Sequence, residues 1–277
     1  MTPVLVRTGQ LGDLVLLGAV TKALGRCAVA TEPRWFSLVR RLDGVDTVLH
    51  WRAAPAGCVD LQGSQRTRWA LRGRTRRRIH KRSLRRRLWL RTGWSSLRRP
   101  SVPELYAEAC GIAPAPLPWI RVPTRARDTL GLAPGAAHGP KRWAVDRFAA
   151  VGRAWSGPVV VFGGPGEAPL VSAVAAGISG ARVVVERGFE QTLDALASVR
   201  VMVAGDTGLL HLAGATGARV VGLFGPTHPD DGFWVYPGVA LGQSPSCRPC
   251  ALHRVRACRV GHHACMDVSV EQVVGAW

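Results

Sequence analysis

The chain reads as an α/β protein with two lobes, each carrying a parallel sheet, and three observations point there. Short apolar runs alternate with amphipathic helical segments along most of its length, the pattern of strands joined by crossover helices. Glycine turns stand where strands give way to helices, at 8–12, 163–166 and 205–208. The proline-rich stretch IAPAPLPWIRVP, residues 112–123, separates two such series and has the stiffness of an interdomain linker. The boundary is expected near residue 125, which gives lobes 1–125 and 126–277.

In chain order, residues 3–7 form a buried strand and 8–12 a turn, and an amphipathic helix over 13–24 begins at Asp13. A strand over 27–31, a helix over 34–42 and a strand over 45–49 follow, then a loop and a strand over 58–61. A basic helix spans 81–91, and SVPELYAEACG (101–111) is a helix that Gly111 ends. The second lobe opens with 130–155, which leads into a helix. A strand over 158–162, a glycine turn and a helix from Glu167 come next, then a strand at 183–185 and a helix near 193–199. Two buried strands, 199–204 and 219–224, flank the turn Gly205-Asp206-Thr207-Gly208 and a helix over 209–216 that Gly217 terminates. A helix over 268–274 finishes the chain.

With 277 residues and 47% hydrophobic content, the chain has ample material for a core. No apolar run approaches the roughly 20 residues of a membrane span. The N-terminus runs straight into a strand without a signal-peptide pattern, so the cytoplasm is the expected compartment. There, seven cysteines fit reduced thiols or a metal site better than a disulfide framework.

The net charge of +19 is concentrated. Between Ser64 and Arg99 stand fifteen Lys or Arg and no acid. Such a block suits nucleic acid, an anionic membrane surface or a phosphorylated substrate, or is a solvated face. No zinc-finger, helix-turn-helix or RRM pattern accompanies it to read bases. Leu84 and Leu88 lie one turn apart with Trp89 beside them and arginines elsewhere, like a basic amphipathic helix on an anionic bilayer.

The turn at 205–208 carries the most chemistry. It sits at the carboxyl end of a strand and the amino end of a helix, where backbone N–H groups and the helix dipole favour an anion and where open α/β sheets bind ligands. The Asp206 carboxylate suits a ribose diol; the Thr207 hydroxyl, the Gly208 amide and the His211 imidazole suit a diphosphate. Equally, Asp206 could serve as a helix cap and His211 as a core histidine. Asp13 also has two readings, a cap or a proton acceptor. Near the C-terminus, Cys247, Cys250, Cys258 and Cys265, with His253, His262 and His263 among them, could hold a structural zinc, stay free thiols or pair.

D-T-G-L-L-H-L-A-G-A-T-G (206–217), followed by V-V-G-L-F-G-P-T (220–227), resembles the signature of glycosyltransferase family 9, the ADP-heptose:lipopolysaccharide heptosyltransferases. The resemblance implies the GT-B arrangement, two Rossmann-like domains facing across a cleft. The similar R-x-x-x-x-G-D turn makes Asp13 the catalytic base that deprotonates the acceptor hydroxyl. Lys141, in P-G-A-x(4)-K-x-W, and Glu167, in G-x-P-x-E, then join Asp206, Thr207, Gly208 and His211 in binding the donor. Arg66 follows a D-x-Q-G turn at 60–63 and, with Arg68, faces the acceptor.

By this resemblance the reaction is an inverting transfer of a heptose from an ADP-sugar to an anionic lipopolysaccharide-core glycolipid. It needs no cofactor, because backbone amides and Lys141 stabilise the departing diphosphate. The enzyme would work peripherally at the inner face of the inner membrane. A sugar-nucleotide epimerase of the same fold and a nucleic-acid-binding protein are the rival expectations.

Overall fold

The structure is a computed structural model that describes residues 2–92, 100–136, 138–185, 188–248, 250, 257–258 and 260–277. The first part of the chain runs β1 (Val4–Val6), α1 (Leu11–Leu16), α2 (Gly18–Leu24), β2 (Cys27–Thr31), α3 (Phe36–Arg40), β3 (Val45–His50), β4 (Cys58–Asp60), α4 (Gln65–Ala70), β5 (Thr75–Arg78), α5 (Ser83–Thr92) and α6 (Val102–Cys110). The remainder runs β6 (Thr129–Ala133), α7 (Val145–Arg153), β7 (Val159–Gly163), α8 (Ala168–Ala176), β8 (Arg182–Val185), α9 (Phe189–Leu196), β9 (Val199–Gly205), α10 (Gly208–Ala215), β10 (Arg219–Leu223), β11 (Gly238–Leu241) and α11 (Val270–Val274).

Among the described residues these strands form two sheets, in the orders β3-β2-β1-β4-β5 and β11-β10-β9-β6-β7-β8. Every strand pairing is parallel, which requires helical cover on both faces and explains why β2 and β6 are buried throughout. In each sheet the chain first builds outward on one side, then returns to build on the other. The reversal falls between β1 and β4 in the first sheet and between β6 and β9 in the second. The carboxyl ends of these strands are where such sheets open a crevice.

Several expected boundaries shift for local reasons. The helix expected over 13–24 begins at Leu11, breaks at Leu17 and resumes at Gly18, so Asp13 lies in the first turn and does not cap it. Over 34–42, Pro33–Trp35 forms a 3-10 turn ahead of α3. α6 is defined at both ends: Ser101 and Glu104 exchange hydrogen bonds in a capping box, and Gly111 adopts φ +76° at the exit.

Sequence reading did not anticipate three strands, among them β6, which falls where 130–155 reads only as leading into a helix. β5 is Thr-Arg-Arg-Arg, a charged edge strand without apolar alternation, and β11 lies within a glycine-rich segment. The proline-rich segment at 112–123 is pinned between the sheets. Trp119 and Ile120 are buried, and the Trp119 N–H donates to the Ala215 carbonyl at 2.8 Å. One apolar cluster runs from Leu14 and Leu17 through Trp119 to Leu210 and Tyr236 and so spans both lobes, while each lobe keeps a further cluster of its own.

Candidate functional site

The site is built at the two sheet reversals. β1 ends at Val6, and Arg7 follows it into the interior. One Arg7 Nη donates to the Leu61 carbonyl at 2.8 Å, and the other reaches Asp13 Oδ2 at 2.5 Å. Tyr106 on α6 lies under the guanidinium, 5.6 Å from it, and its hydroxyl donates to the Asp13 carbonyl at 3.3 Å. Asp13 is therefore held from both sides, and among the described residues no hydrogen bond takes up Oδ1. Arg7 stands in the same turn motif as Asp13, but sequence reading gave it no role.

Across the cleft, β9 delivers Asp206 to the amino end of α10. Lys141, from the loop after the neighbouring strand β6, places Nζ 2.7 Å from Asp206 Oδ2. Lys141 is buried, a position that an ammonium occupies only with a partner. Burial pushes the Asp206 pKa up, but the Lys141 charge and hydrogen bond, aided by His211 and Thr227, bring it below the usual carboxylate value.

The α10 cap is Thr207, whose hydroxyl accepts from the Leu210 N–H at 3.5 Å. A cap role for Asp206 is thereby set aside. The first-turn amides of such a helix have no acceptor within it, which suits an anion.

His211 is buried against the rings of Phe233 and Tyr236, with centroids 6.1 and 5.5 Å away. Its Nδ1 has no hydrogen-bond partner among the described residues. Burial lowers its pKa, against the opposing pull of Asp206 and Asp13. The imidazole edge faces α1: a β-carbon on Gly12 would stand 2.8 Å from His211 Cδ2, and one on Gly208 would stand 2.6 Å from Leu11 Cδ2. Two glycines thus let the amino ends of α1 and α10 approach closely, which brings Asp13 and His211 to one place.

Glu167 follows β7, on the far side of β6. Its Oε2 accepts from the Gly164 N–H at 2.8 Å, and its carboxylate covers Gly135, where a β-carbon would overlap it at 2.1 Å. Lys141, Glu167, Asp206, Thr207 and Gly208 therefore line the carboxyl edges of three adjacent strands.

On the first lobe, β4 ends in Asp60, a fully buried carboxylate. It accepts from the amides of Gln62 and Gly63, the Thr67 hydroxyl and Arg78 Nε at 3.0 Å or less. This fixes the start of α4. Arg66 turns to Glu32 at 3.2 Å and stacks 4.7 Å from the Trp51 ring centroid. Arg68 instead lines a groove of about 700 Å³ with Arg78, His80, Lys81 and Leu84. Lys81 is half-buried, and burial together with the Arg7 charge lowers its pKa, while Asp13 and Asp60 oppose the shift. Lys81, on the groove's wall, thus lies within electrostatic reach of Arg7 and Asp13. Lys81 carried no individual signal in so basic a stretch.

The second lobe also reaches back to α5. Arg86 forms an ion pair with Asp231, Nε to Oδ1 at 2.6 Å, and Trp89 packs edge-on against His228. Trp89 is buried there and does not belong to the outward face on which sequence reading placed it.

Among the described residues the C-terminal cysteines are not gathered into the zinc set that their spacing offers. All four are free thiols, and among the described residues no three His, Cys, Asp or Glu are arranged to hold a metal ion. Cys247 Sγ meets His262 Nε2 at 3.7 Å, Cys250 Sγ points to the Pro226 carbonyl, and Cys265 is buried with Met266. Backbone amides of His263 and its neighbours lower the pKa of Cys258. His253 lies outside the described residues.

Among proteins of known type, lipopolysaccharide heptosyltransferase 1 of Pseudomonas aeruginosa PAO1 is 36% identical over 99 residues. That match covers 35% of this chain and 28% of the relative. The structure of a family 9 glycosyl transferase from Veillonella parvula DSM 2008 superposes with a TM-score of 0.74 at 15% identity, covering 99% of this chain and 95% of that one. E. coli heptosyltransferase WaaC with ADP-2-deoxy-2-fluoro heptose superposes with a TM-score of 0.69 at 18% identity, covering 99% and 98%. At such identities the likeness is one of fold, two Rossmann-like domains in the GT-B arrangement. The model of glycosyltransferase family 9 (heptosyltransferase) matches residues 107–255, more than half of the sequence and the whole of the Lys141–Asp206–His211 region. The chain belongs to glycosyltransferase family 9.

Proposed function

We propose that the chain transfers a heptose, or a closely related sugar, from an ADP-sugar to an anionic lipopolysaccharide-core acceptor, with inversion at the anomeric carbon. The observation that carries this reading is the pairing of a buried Lys141–Asp206 couple at the amino end of α10 with Asp13 on the facing helix. Family membership and the nucleotide-sugar named with WaaC support the donor class.

In this reading the 126–277 lobe holds the donor. Lys141 and the first amides of α10 neutralise the diphosphate, Asp206 and Thr207 hold hydroxyls, and Glu167 takes the ribose or base. The 1–125 lobe brings the acceptor along the basic groove, with Arg66 and Arg68 on its approaches. Asp13, oriented by Arg7, accepts the proton of the attacking hydroxyl at Oδ1. The sugar's anomeric bond to the diphosphate breaks as the new glycosidic bond forms. Preorganised charge at the α10 terminus stabilises the leaving ADP. The work is done at the inner face of the inner membrane.

A thermal-shift panel of ADP-, UDP- and GDP-sugars, followed by a transfer assay with the best donor, tests the proposal. Stabilisation by ADP-sugars alone is expected, with inverted product; net epimerisation without transfer overturns it.

A further inference from the structure

We infer that α4 and α5 present a docking face for an anionic lipid bilayer, anchored by Trp69, Leu84 and Leu88. Among the described residues these are the most exposed large apolar side chains of the first lobe, with 86%, 73% and 43% of their surfaces open. A single exposed leucine needs no explanation, but two on one helix face do. On α5 the fold turns Arg86 and Trp89 inward to Asp231 and His228. That leaves Leu84 and Leu88, one turn apart, on the opposite face with the exposed Arg85 and Arg87.

Arg68, the residue before Trp69 on α4, lines one groove with Leu84 of α5. The surroundings match one occupant. The segment from Ser64 to Arg99 has fifteen basic residues and no acid, complementary to anionic headgroups. Leucine and an amphipathic tryptophan ring gain by entering the interfacial layer. Nucleic acid would use the charge but leave Leu84 and Leu88 in water, so the bilayer is the better fit.

The docking claim rests on the surface alone. Only its purpose, to hold a lipid-borne acceptor at the mouth of the groove, rests on the proposed reaction. Flotation with vesicles of phosphatidylglycerol and phosphatidylcholine in equal parts, without any nucleotide sugar, separates the two. The full chain is expected to bind these vesicles, to release them as salt rises, and to ignore pure phosphatidylcholine. Trp69→Ser/Leu84→Ser/Leu88→Ser should bind at least about tenfold more weakly, with an unchanged melting temperature. Trp69→Ser alone, on the separate helix α4, should show part of the loss. Undiminished binding by the triple variant, no binding by the parent, or tighter binding to an RNA duplex than to the vesicles would each overturn the inference.

Discussion

Gly12 lies against the imidazole of His211, and Gly208 lies against Leu11, so the two lobes meet through a reciprocal pair of glycines. The missing side chains set the distance between the proton-accepting helix and the donor-holding helix. Gly12→Ala should therefore cost about 1–3 kcal/mol of stability and lower the transfer rate as α1 is displaced. Gly208→Ala should behave likewise, and Leu11→Ala in the same chain should restore part of the loss. Chemical denaturation and steady-state kinetics read both effects.

Asp13→Asn keeps the shape of the side chain and removes its capacity to take a proton. Transfer should fall by roughly 10²–10⁴-fold, while donor binding by calorimetry and the melting temperature stay near those of the parent. A variant that retained full rate would remove Asp13 from the chemistry.

Lys141 and Asp206 make a pair with little solvent around it. Lys141→Met leaves a carboxylate without its partner and should destabilise the fold by about 3 kcal/mol. It should also abolish the stabilisation conferred by ADP-sugars. Changing both residues to apolar ones should recover much of the stability but none of the donor binding, which separates the structural role from the binding role.

His211 has a lowered pKa because burial penalises its charged form. The unfolded chain therefore takes up a proton at this position more readily than the folded one. The sign follows: folded-state stability is complete above about pH 6.5 and declines as pH falls below it. His211→Gln should flatten that decline, as melting temperatures between about pH 5 and pH 8 would show.

Much of the second lobe was legible in its sequence because the signals there are local. The run 199–204, the glycine turn, the helix and Gly217 each announce themselves by composition, and the strand and helix appear within a residue or so of expectation. Lys141 was legible only through resemblance, since a lone lysine after Pro140 gives no sign that it will be buried. Other features were hidden for physical reasons. β5 has no apolar alternation because it is an edge strand whose central Arg76 and Arg77 are exposed. The Arg86–Asp231 pair joins positions 145 residues apart, a distance that no local pattern encodes. Arg7 and Tyr106 converge on Asp13 from separate segments, so only the fold reveals that they belong together.

The arginines of β5 have a consequence for the chain's behaviour in a crowded solution. The last strand of a sheet offers unpaired amides and carbonyls to any extended segment that drifts past, and two identical molecules could zip together along it. Here that rim bristles with guanidinium groups, so a second copy approaching edge to edge meets its own charge. The molecule thereby carries its own safeguard against fibrous self-association.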